Sequence, residues 1–277
     1  MYTLNCKGKL LALDKPWVMG IINTTPDSFY ADSRKQDVEN IVAQAKKMLD
    51  DGATVLDIGG QSTRPGAMMI GSEEESNRVV PAIKAICQAF PHVPVSVDTF
   101  SAQVAQVAVE AGAAIVNDIS GGFMDANMLA TVAALRVPYI CMHMKGTPTN
   151  MQQHAVYEDV TKEVLDYFIE RIDTCRKAGI HDVIIDPGFG FSKTIDHNFT
   201  LLKNLSLFKL LGKPILLGIS RKATIYKTLG ITAAEALNGT TVLNTIGLLN
   251  GADIIRVHDV KEAVEATKLI HQTKTKN

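Results

Sequence analysis

Residues 94–119 read PVSVDTFSAQVAQVAVEAGAAIVNDI, and this stretch contains one complete unit of the predicted fold. Two short apolar runs, Pro94–Asp98 and Ala114–Ile119, flank the helix-forming segment Ser101–Ala111, which stops at Gly112. The runs are apolar throughout rather than alternating, which is typical of parallel strands covered by helices on both faces. A strand, a helix and a second strand in this order predict one βαβ unit.

The same pattern repeats from residue 17 almost to the end of the chain. Further helical stretches are Val38–Asp51 and His154–Ala178, each followed by a glycine. The predicted strands are Trp17–Asn23, Thr54–Gly60, Pro94–Asp98, Ala114–Ile119, Pro138–Met144, Val183–Gly188, Pro214–Ser220 and Asp253–His258. Eight such units favour a single-domain α/β protein, a (β/α)8 TIM barrel over residues 17–275. Residues 1–16 are expected to form an N-terminal hairpin that closes the barrel floor. A doubly wound open sheet is the alternative, but such sheets more often have about five or six strands.

Composition narrows the possible partners. The formal net charge of -1 gives no overall field for nucleic acid or an acidic membrane. No apolar run approaches the roughly 20 residues that span a bilayer, and the first residues do not resemble a secretory signal. The four cysteines show no metal-ligand spacing and suit free thiols in a reducing compartment. We therefore expect a cytoplasmic protein without nucleic-acid or membrane partners.

Polar residues collect where the predicted strands end, and in such barrels the active site lies at these carboxyl ends. Any one of them is typical of a structural turn, but most of the eight ends are polar together, which indicates a site. The residues are Asn23, Asp57, Asp98, Asn117, His143, Asp186, Ser220, Arg221, Lys222, Arg256 and His258. Among them, His143 is compatible with a core residue or a residue at the barrel mouth.

Two chemical groups can be distinguished within this set. Asp98, Asn117, Asp186 and Lys222 offer the acceptors and donors that fit the 2-amino-4-oxo edge of a pterin or a guanine, without choosing between them. A second group suits phosphate, with guanidinium, hydroxyl, amide and imidazole functions. Its members are Asn23, Thr63, Arg64, Arg256 and His258. Mg²⁺ that bridges phosphates and keeps several waters could be met by the Asn23 oxygen.

At these residues the chain resembles the dihydropteroate synthase family, from about residue 17 to 260. The first-strand loop reads NTTPDSF at 23–29, and the second signature reads DIGGQSTRPGA at 57–67. The remaining motifs are SVDT at 96–99, NDISGG at 117–122, MHM at 142–144, DPG at 186–188, SRK at 220–222 and RVH at 256–258. Eight motifs in the family's order make the resemblance specific.

The resemblance implies an enzyme of folate biosynthesis. It would condense 6-hydroxymethyl-7,8-dihydropterin diphosphate with 4-aminobenzoate (p-aminobenzoate), giving 7,8-dihydropteroate and diphosphate by an SN1-like mechanism. It further implies Mg²⁺ as the cofactor, with Asn23 as the metal contact, and a homodimer formed through barrel helices opposite the mouth. The loops that contain Asp27, Phe29 and Asp32, and Arg64 and Pro65, would close over the substrates.

The resemblance also implies roles for individual residues. Asp98, Lys222, Arg256 and Arg64 would be catalytic, and Arg256 would stack on the pterin. Asp98, Asn117, Asp186 and Lys222 would hold the pterin, with Met142 and Phe191 packing near its ring. Thr63, Arg64, Arg256 and His258 would take the diphosphate, while Phe189, Pro65 and Lys222 would border the p-aminobenzoate site.

The chain departs from the family pattern at three places. Gln61 stands where glutamate is usual, Ser33-Arg34 replaces a glycine pair, and Ala223 follows Lys222 where serine is common. Because that serine position is linked to the p-aminobenzoate carboxylate, we hypothesise retained synthase activity with altered sulfonamide binding.

Three other functions remain open at the sequence level. Methyltetrahydrofolate methyltransferases share the Asp/Asn pterin pocket but have no need for the diphosphate loop or for Ser220-Arg221-Lys222. A non-catalytic paralogue would bind pterin without turnover and is excluded only by an assay. A phosphate-binding sugar barrel would leave Asp98 and Asn117 unexplained.

Overall fold

The structure, a computed structural model, describes residues 1–24, 31–61 and 69–275, with side chains described except at 31–36 and 274–275. The predicted site residues Thr63, Arg64 and Pro65, and the loop residues Asp27 and Phe29, lie outside the described residues.

Eight parallel strands form a nearly closed barrel, as the sequence predicts. An antiparallel hairpin of β1 (Tyr2–Cys6) and β2 (Lys9–Leu13) precedes them. The barrel strands are β3 (Trp17–Asn23), β4 (Val55–Gly59), β5 (Val95–Asp98), β6 (Ile115–Asp118), β7 (Tyr139–Met142), β8 (Val183–Asp186), β9 (Leu216–Leu217) and β10 (Ile254–Val257). They follow the order β8-β7-β6-β5-β4-β3-β10-β9, so the carboxyl ends of all eight strands open on one mouth.

Alternate strand residues build two different cores because successive side chains of a strand point to opposite faces. One set fills the barrel interior and includes Met19, Ile140 and Ile254, all fully buried. The hairpin residues Leu4 and Leu13 pack into the same cluster. The hairpin therefore closes the barrel floor, opposite the mouth.

The other set of strand residues packs against the surrounding helices. These helices are α1 (Ala31–Asp50), α2 (Ser72–Ala89), α3 (Ala102–Ala111), α4 (Met128–Leu135), α5 (Val160–Ala178), α6 (Ile195–Lys203), α7 (Ala223–Leu229), α8 (Leu237–Leu249) and α9 (Val260–Thr275). Short 3-10 helices occupy Met151–His154 and Leu205–Leu211. Across the described ranges, none of the helices combines the length and the apolar character that crossing a bilayer requires.

Two helix starts differ from the sequence prediction. Helix α5 begins at Val160 rather than at His154, because the Asp159 carboxylate accepts hydrogen bonds from the Thr161 and Lys162 amides and caps the helix there. Helix α1 begins at Ala31, ahead of the predicted Val38. No apolar residue occurs in the sequence from 32 to 37, so apolar periodicity gave no sign of its first turns.

The barrel has a seam between β8 and β9. Strand β9 contains only Leu216–Leu217. The pairing with β8 consists of one isolated bridge, between Ile185 of β8 and Ile215, the residue before β9. The Ile185 amide donates to the Pro214 carbonyl oxygen at 2.9 Å. The seam therefore has fewer ladder hydrogen bonds than the other strand pairs of the barrel.

Candidate active site

Arg256 lies at the centre of the barrel mouth and joins three strands. Its Nε donates to Asp57 Oδ2 and its Nη2 donates to Asp98 Oδ2, both at 2.6 Å. Asn117 Nδ2 donates to the same Asp57 oxygen at 3.0 Å. Since these residues come from β10, β4, β5 and β6, the parallel barrel brings together side chains that are far apart in sequence.

Asp57 has a larger part in this cluster than the sequence reasoning gave it. Its side chain is fully buried, and its Oδ1 has no hydrogen-bond partner among the described residues. A buried carboxylate that accepts from Arg256 and Asn117 fixes the position of both. The signal was present in the sequence, because a single aspartate interrupts the apolar strand Val55–Gly59.

The pKa of Asp98 is shifted mainly by burial, and further by the neighbouring charges of the cluster. Burial raises the pKa of Asp98 to about 7, with the Arg256 guanidinium opposing the shift and Asp57 and Glu75 adding to it. The two aspartates raise the pKa of Arg256 further above its usual range despite its burial. The mouth therefore contains a fixed cation and a carboxyl group that titrates near neutral pH.

Asp186 and Lys222 face each other across the seam. Asp186 Oδ1 accepts from the Gly188 amide at 2.8 Å, so that bond engages one of its two oxygens. A Cβ at Gly218 would stand 3.7 Å from Asp186 Oδ2 and 4.0 Å from Lys222 Nζ, so the missing side chain keeps this space open. Burial lowers the pKa of Lys222 to about 8, partly offset by Asp186. Lys222 can thus donate to a ligand that also contacts Asp186.

The loop after β8 places the Phe191 ring and the Phe189 carbonyl group beside Lys222. Lys222 Nζ donates to the Phe189 carbonyl oxygen and lies 4.6 Å from the centroid of the Phe191 ring. Phe189 is fully buried, whereas Phe191 is partly buried and packs with Met142 and its neighbours in a small apolar cluster. An apolar wall with a few polar groups aimed along it is typical of a site for a flat heterocycle.

His258 and Arg221 lie next to Lys222, where the neighbouring strands β10 and β9 end. His258 Nδ1 lies 3.0 Å from Ser220 Oγ. Partial desolvation and the nearby Arg256 lower the pKa of His258, so the ring is neutral at pH 7 and offers a hydrogen bond rather than a charge. Arg221 instead forms a bidentate ion pair with Asp259 and donates to loop carbonyl oxygens, which gives it a structural role.

His143 lies under the mouth rather than in it. The residue is 2% exposed, and its Nδ1 lies 2.9 Å from Lys193 Nζ. With Lys193 as the ammonium ion, Nδ1 is the acceptor and the ring proton is on Nε2. Burial and the two lysines Lys193 and Lys145 lower the pKa of His143 well below its usual value. The ring is therefore a neutral, buried acceptor.

Asn23 offers an amide oxygen at the end of β3. A Cβ at Gly59 would stand 3.8 Å from Asn23 Oδ1 and 3.6 Å from Asp98 Oδ2, so both oxygens border an open space above the glycine. Within residues 1–24, 31–61 and 69–275, no cluster of three His, Cys, Asp or Glu side chains could hold a metal by itself. One amide oxygen fits Mg²⁺, which commonly keeps its waters and binds substrate phosphates.

The structure thus brings most of the predicted site residues to one mouth. They are Asn23, Asp98, Asn117, Met142, Asp186, Phe189, Phe191, Lys222, Arg256 and His258. The sequence reasoning assigned no role to Lys193, and nothing in the sequence marks it, since it follows a glycine-rich loop like many surface lysines.

Fold and site together define a class: an α/β-barrel enzyme with a polar pocket for a flat heterocycle beside groups that suit phosphate. The profile of the family described as "Pterin binding enzyme" matches residues 19–258. Dihydropteroate synthase of Escherichia coli strain K12 is 43% identical over 272 residues, covering 98% of this chain and 96% of that protein. The chain belongs to the dihydropteroate synthase family of pterin-binding enzymes.

Solved structures agree with this assignment. Xanthomonas albilineans dihydropteroate synthase with 4-aminobenzoic acid is 39% identical and covers 99% of both chains, with a TM-score of 0.91. The enzyme of the same organism in complex with 7,8-dihydropteroate is 36% identical and covers 100% of both chains, with a TM-score of 0.89.

Proposed function

We propose that this chain condenses 6-hydroxymethyl-7,8-dihydropterin diphosphate with p-aminobenzoate, releasing diphosphate and forming 7,8-dihydropteroate. The observation that carries the proposal is the convergence of Asp98, Asn117, Asp186 and Lys222 around Arg256 at one barrel mouth. The related Xanthomonas structures with 4-aminobenzoic acid and with 7,8-dihydropteroate support the choice of substrate and product.

Pterin recognition would use the carboxylates and the lysine together. The 2-amino group and the ring N–H of the pterin are donors, and Asp98 and Asp186 supply acceptors for them. Lys222 would donate to the ring carbonyl or a ring nitrogen, and Asn117 can both donate and accept. Met142 and Phe191 would pack near the ring.

The diphosphate would lie on the Arg256 and His258 side of the mouth. Arg256 would provide a fixed positive charge and neutral His258 a hydrogen bond, with Thr63 and Arg64 predicted to add donors. Mg²⁺ held by Asn23 would, when bound, neutralise part of the charge on the departing oxygens.

The bond-breaking step would be an ionisation. The C–O bond to the diphosphate breaks with its electron pair, leaving a methylene cation that is delocalised into the electron-rich dihydropterin ring. Asp57, Asp98 and Asp186 would lower the energy of this cation, because they are fixed in place before the charge develops. These three carboxylates are therefore matched to the transition state rather than to the substrate.

The arylamine of p-aminobenzoate would then form the new C–N bond and lose one proton. It is neutral near pH 7, so its lone pair is available without a strong base. Phe189 and Lys222 would border its binding site, together with Pro65. The lowered pKa of buried His143 supports leaving that residue out of the reaction.

We further propose that the enzyme is a cytoplasmic homodimer. The four free cysteines suit a reducing compartment. Exposed apolar side chains lie on neighbouring helices, with Leu229 on α7 and Val242, Ile246 and Leu249 on α8. The three residues of α8 are spaced four and three apart, so they share one helix face that a second copy could cover.

The test is a coupled assay for diphosphate release from the pterin diphosphate with Mg²⁺, run with and without p-aminobenzoate. Release that depends on p-aminobenzoate and yields dihydropteroate is the expected result. Tight pterin binding without product would instead identify a non-catalytic paralogue. The absence of pterin binding would overturn the assignment of the site.

A further inference from the structure

Lys193 is a buried lysine that the reaction described above does not use. It is 3% exposed, and its Nζ lies 2.9 Å from His143 Nδ1, 3.1 Å from the carbonyl oxygens of Gly188 and Phe191, and 3.4 Å from that of His143. Among the described residues, none of its contacts is an ion pair with a carboxylate. Burying an ammonium group without a counter-ion is costly, so its contacts call for an explanation.

The surroundings of Lys193 explain why a cation is placed there. The loop from Pro187 to Ser192 contains three residues with positive φ, namely Gly188, Gly190 and Ser192 at +72°, +81° and +47°. A backbone of this kind cannot satisfy its carbonyl groups with a regular ladder of hydrogen bonds. The three protons of one ammonium group can satisfy several of them from a single point.

The same ammonium group joins this loop to the end of the neighbouring strand β7. Gly188 sits so close to β7 that a Cβ there would stand 2.1 Å from the His143 carbonyl oxygen. A second connection runs in parallel, since the Lys145 amide donates to Ser192 Oγ at 2.8 Å. Lys193 and Ser192 therefore hold the loop against β7 from its two sides.

The loop in turn sets the position of Lys222. Its Phe189 carbonyl accepts from Lys222 Nζ, and a Cβ at Gly190 would stand 3.1 Å from Lys222 Cδ. The Phe191 ring lies under the same ammonium group. A shift of the loop would move the Phe191 ring and Lys222 together.

We propose that Lys193 is a positioning residue whose ammonium group fixes the loop after β8, and thereby the Phe189 and Lys222 groups that border p-aminobenzoate. The inference rests on the proposed function for the identity of that substrate. Burial lowers the pKa of Lys193, while Asp186 opposes that shift, and the geometry of the four contacts carries the inference independently of it.

The test compares Lys193→Met with Lys7→Met in the full-length protein. Methionine keeps the length and the apolar stem of lysine but donates no hydrogen bond. In the control, Lys7 Nζ donates to the Val109 carbonyl oxygen at the barrel floor, at 2.7 Å. We expect Lys193→Met to raise the KM for p-aminobenzoate at least tenfold and also to weaken pterin binding, because Lys222 and Phe191 would contact both substrates. Lys7→Met should resemble the wild type.

A turnover-independent readout separates this inference from the proposed function. In protein labelled with 4-fluorophenylalanine, the ¹⁹F resonances of Phe189 and Phe191, assigned with Phe→Leu variants, should shift in Lys193→Met and stay in place in Lys7→Met. Unshifted resonances, or a lowered Tm with an unchanged KM, would overturn the role of Lys193. A wild type that makes no dihydropteroate would count against the proposed function alone, because the resonances still report on the loop.

A second variant covers the case in which Lys193→Met does not fold. Lys193→Gln removes the ammonium group but keeps an amide that can donate to some of the same carbonyl oxygens. A raised KM for p-aminobenzoate with shifted Phe189 and Phe191 resonances supports the inference, and unchanged values overturn it.

Discussion

Arg256 shares one guanidinium group between two aspartates, and this arrangement sets the electrostatics of the whole mouth. Removing one partner of a buried ion pair typically costs about 3–5 kcal/mol because the remaining charge stays buried and unpaired. Here a third acidic group, Asp186, lies near the same mouth. Three carboxyl groups therefore surround the cations of Arg256 and Lys222 before any ligand enters, and these carboxylates suit a cationic intermediate.

The pKa values of Asp98 and Lys222 predict a bell-shaped pH dependence of kcat/KM for the pterin diphosphate. Asp98 is a full acceptor for the pterin N–H groups only when its carboxyl group is ionised. The kcat/KM should therefore rise with pH through the Asp98 pKa of about 7. Lys222 loses its charge above its pKa of about 8, so kcat/KM should fall there. The profile is measured from initial rates between about pH 5 and pH 10, roughly two units beyond those values on either side.

Asp98→Asn is the matched control for the rising limb. Titration of the substrate is common to both enzymes, so a difference between their profiles reports the protein. The variant should lose the rising limb and keep the falling one. Its kcat/KM at the optimum should be about 10- to 100-fold lower, as expected for a lost hydrogen bond to a charged group. A rising limb that is identical in both enzymes would contradict the assignment to Asp98.

At the residue scale, the sequence predicts the members of the site better than their contacts. Asp98, Asn117 and Asp186 were predictable because parallel strands must end on one edge. The hydrogen bond from Arg256 Nε to Asp57 could not be predicted. The two residues are 199 positions apart, and the contact depends on side-chain rotamers inside the folded barrel. The Lys193–His143 contact was hidden for the same reason.

Helix α7 starts at the site, and its first residue is the departure Ala223. Lys222 is the N-cap with extended backbone, φ -79° and ψ 164°, and no side chain caps the helix there. A hydroxyl group at position 223 would stand at the edge of the mouth beside Lys222. We expect Ala223→Ser to lower the KM for p-aminobenzoate about fivefold, equivalent to one hydrogen bond of about 1 kcal/mol.

The same variant tests sulfonamide binding. Since sulfonamides mimic p-aminobenzoate, the inhibition constant for a sulfonamide should fall in parallel with the KM. Steady-state kinetics with both compounds gives the two values, with the pterin KM as the internal control. If both values stay at their wild-type level, the alanine has no bearing on this part of the site.

At the element scale, the strands were predicted more closely than the helix starts. Buried parallel strands are apolar throughout, so a run such as Tyr139–Met142 stands out from its flanks. Helix starts depend on capping instead. Asp159 caps the start of α5 because its carboxylate accepts hydrogen bonds from two backbone amides. The spacing of apolar residues gives no information about such a cap.

The proposed homodimer is tested at the scale of the whole molecule. Ile246 is 38% exposed at the middle of the α8 face, between Val242 and Leu249. A glutamate there would place a charge in a desolvated interface, so we expect Ile246→Glu to sediment as a monomer where the wild type sediments as a dimer. Analytical ultracentrifugation over a range of protein concentrations gives the measurement.

Leu10→Glu serves as the control for that experiment. Leu10 is 69% exposed on the hairpin at the barrel floor, so the substitution adds the same charge on a different face. It should leave the dimer intact. A monomeric wild type, or a dimer that survives Ile246→Glu, would show that this face is not the interface.

The seam between β8 and β9 means that substrate binding should also stabilise the folded barrel. Asp186 stands on one side of it and Lys222 follows the other, while the backbone between them contributes one bridge and few hydrogen bonds. A ligand that hydrogen-bonds to both side chains connects the two sides of the barrel where the strand pairing has the fewest hydrogen bonds. Because the ligand binds only the folded protein, it raises the free energy of unfolding, and the increase grows with the logarithm of ligand concentration over Kd. In a cell rich in pterin, the supply of substrate would itself help to keep the enzyme folded.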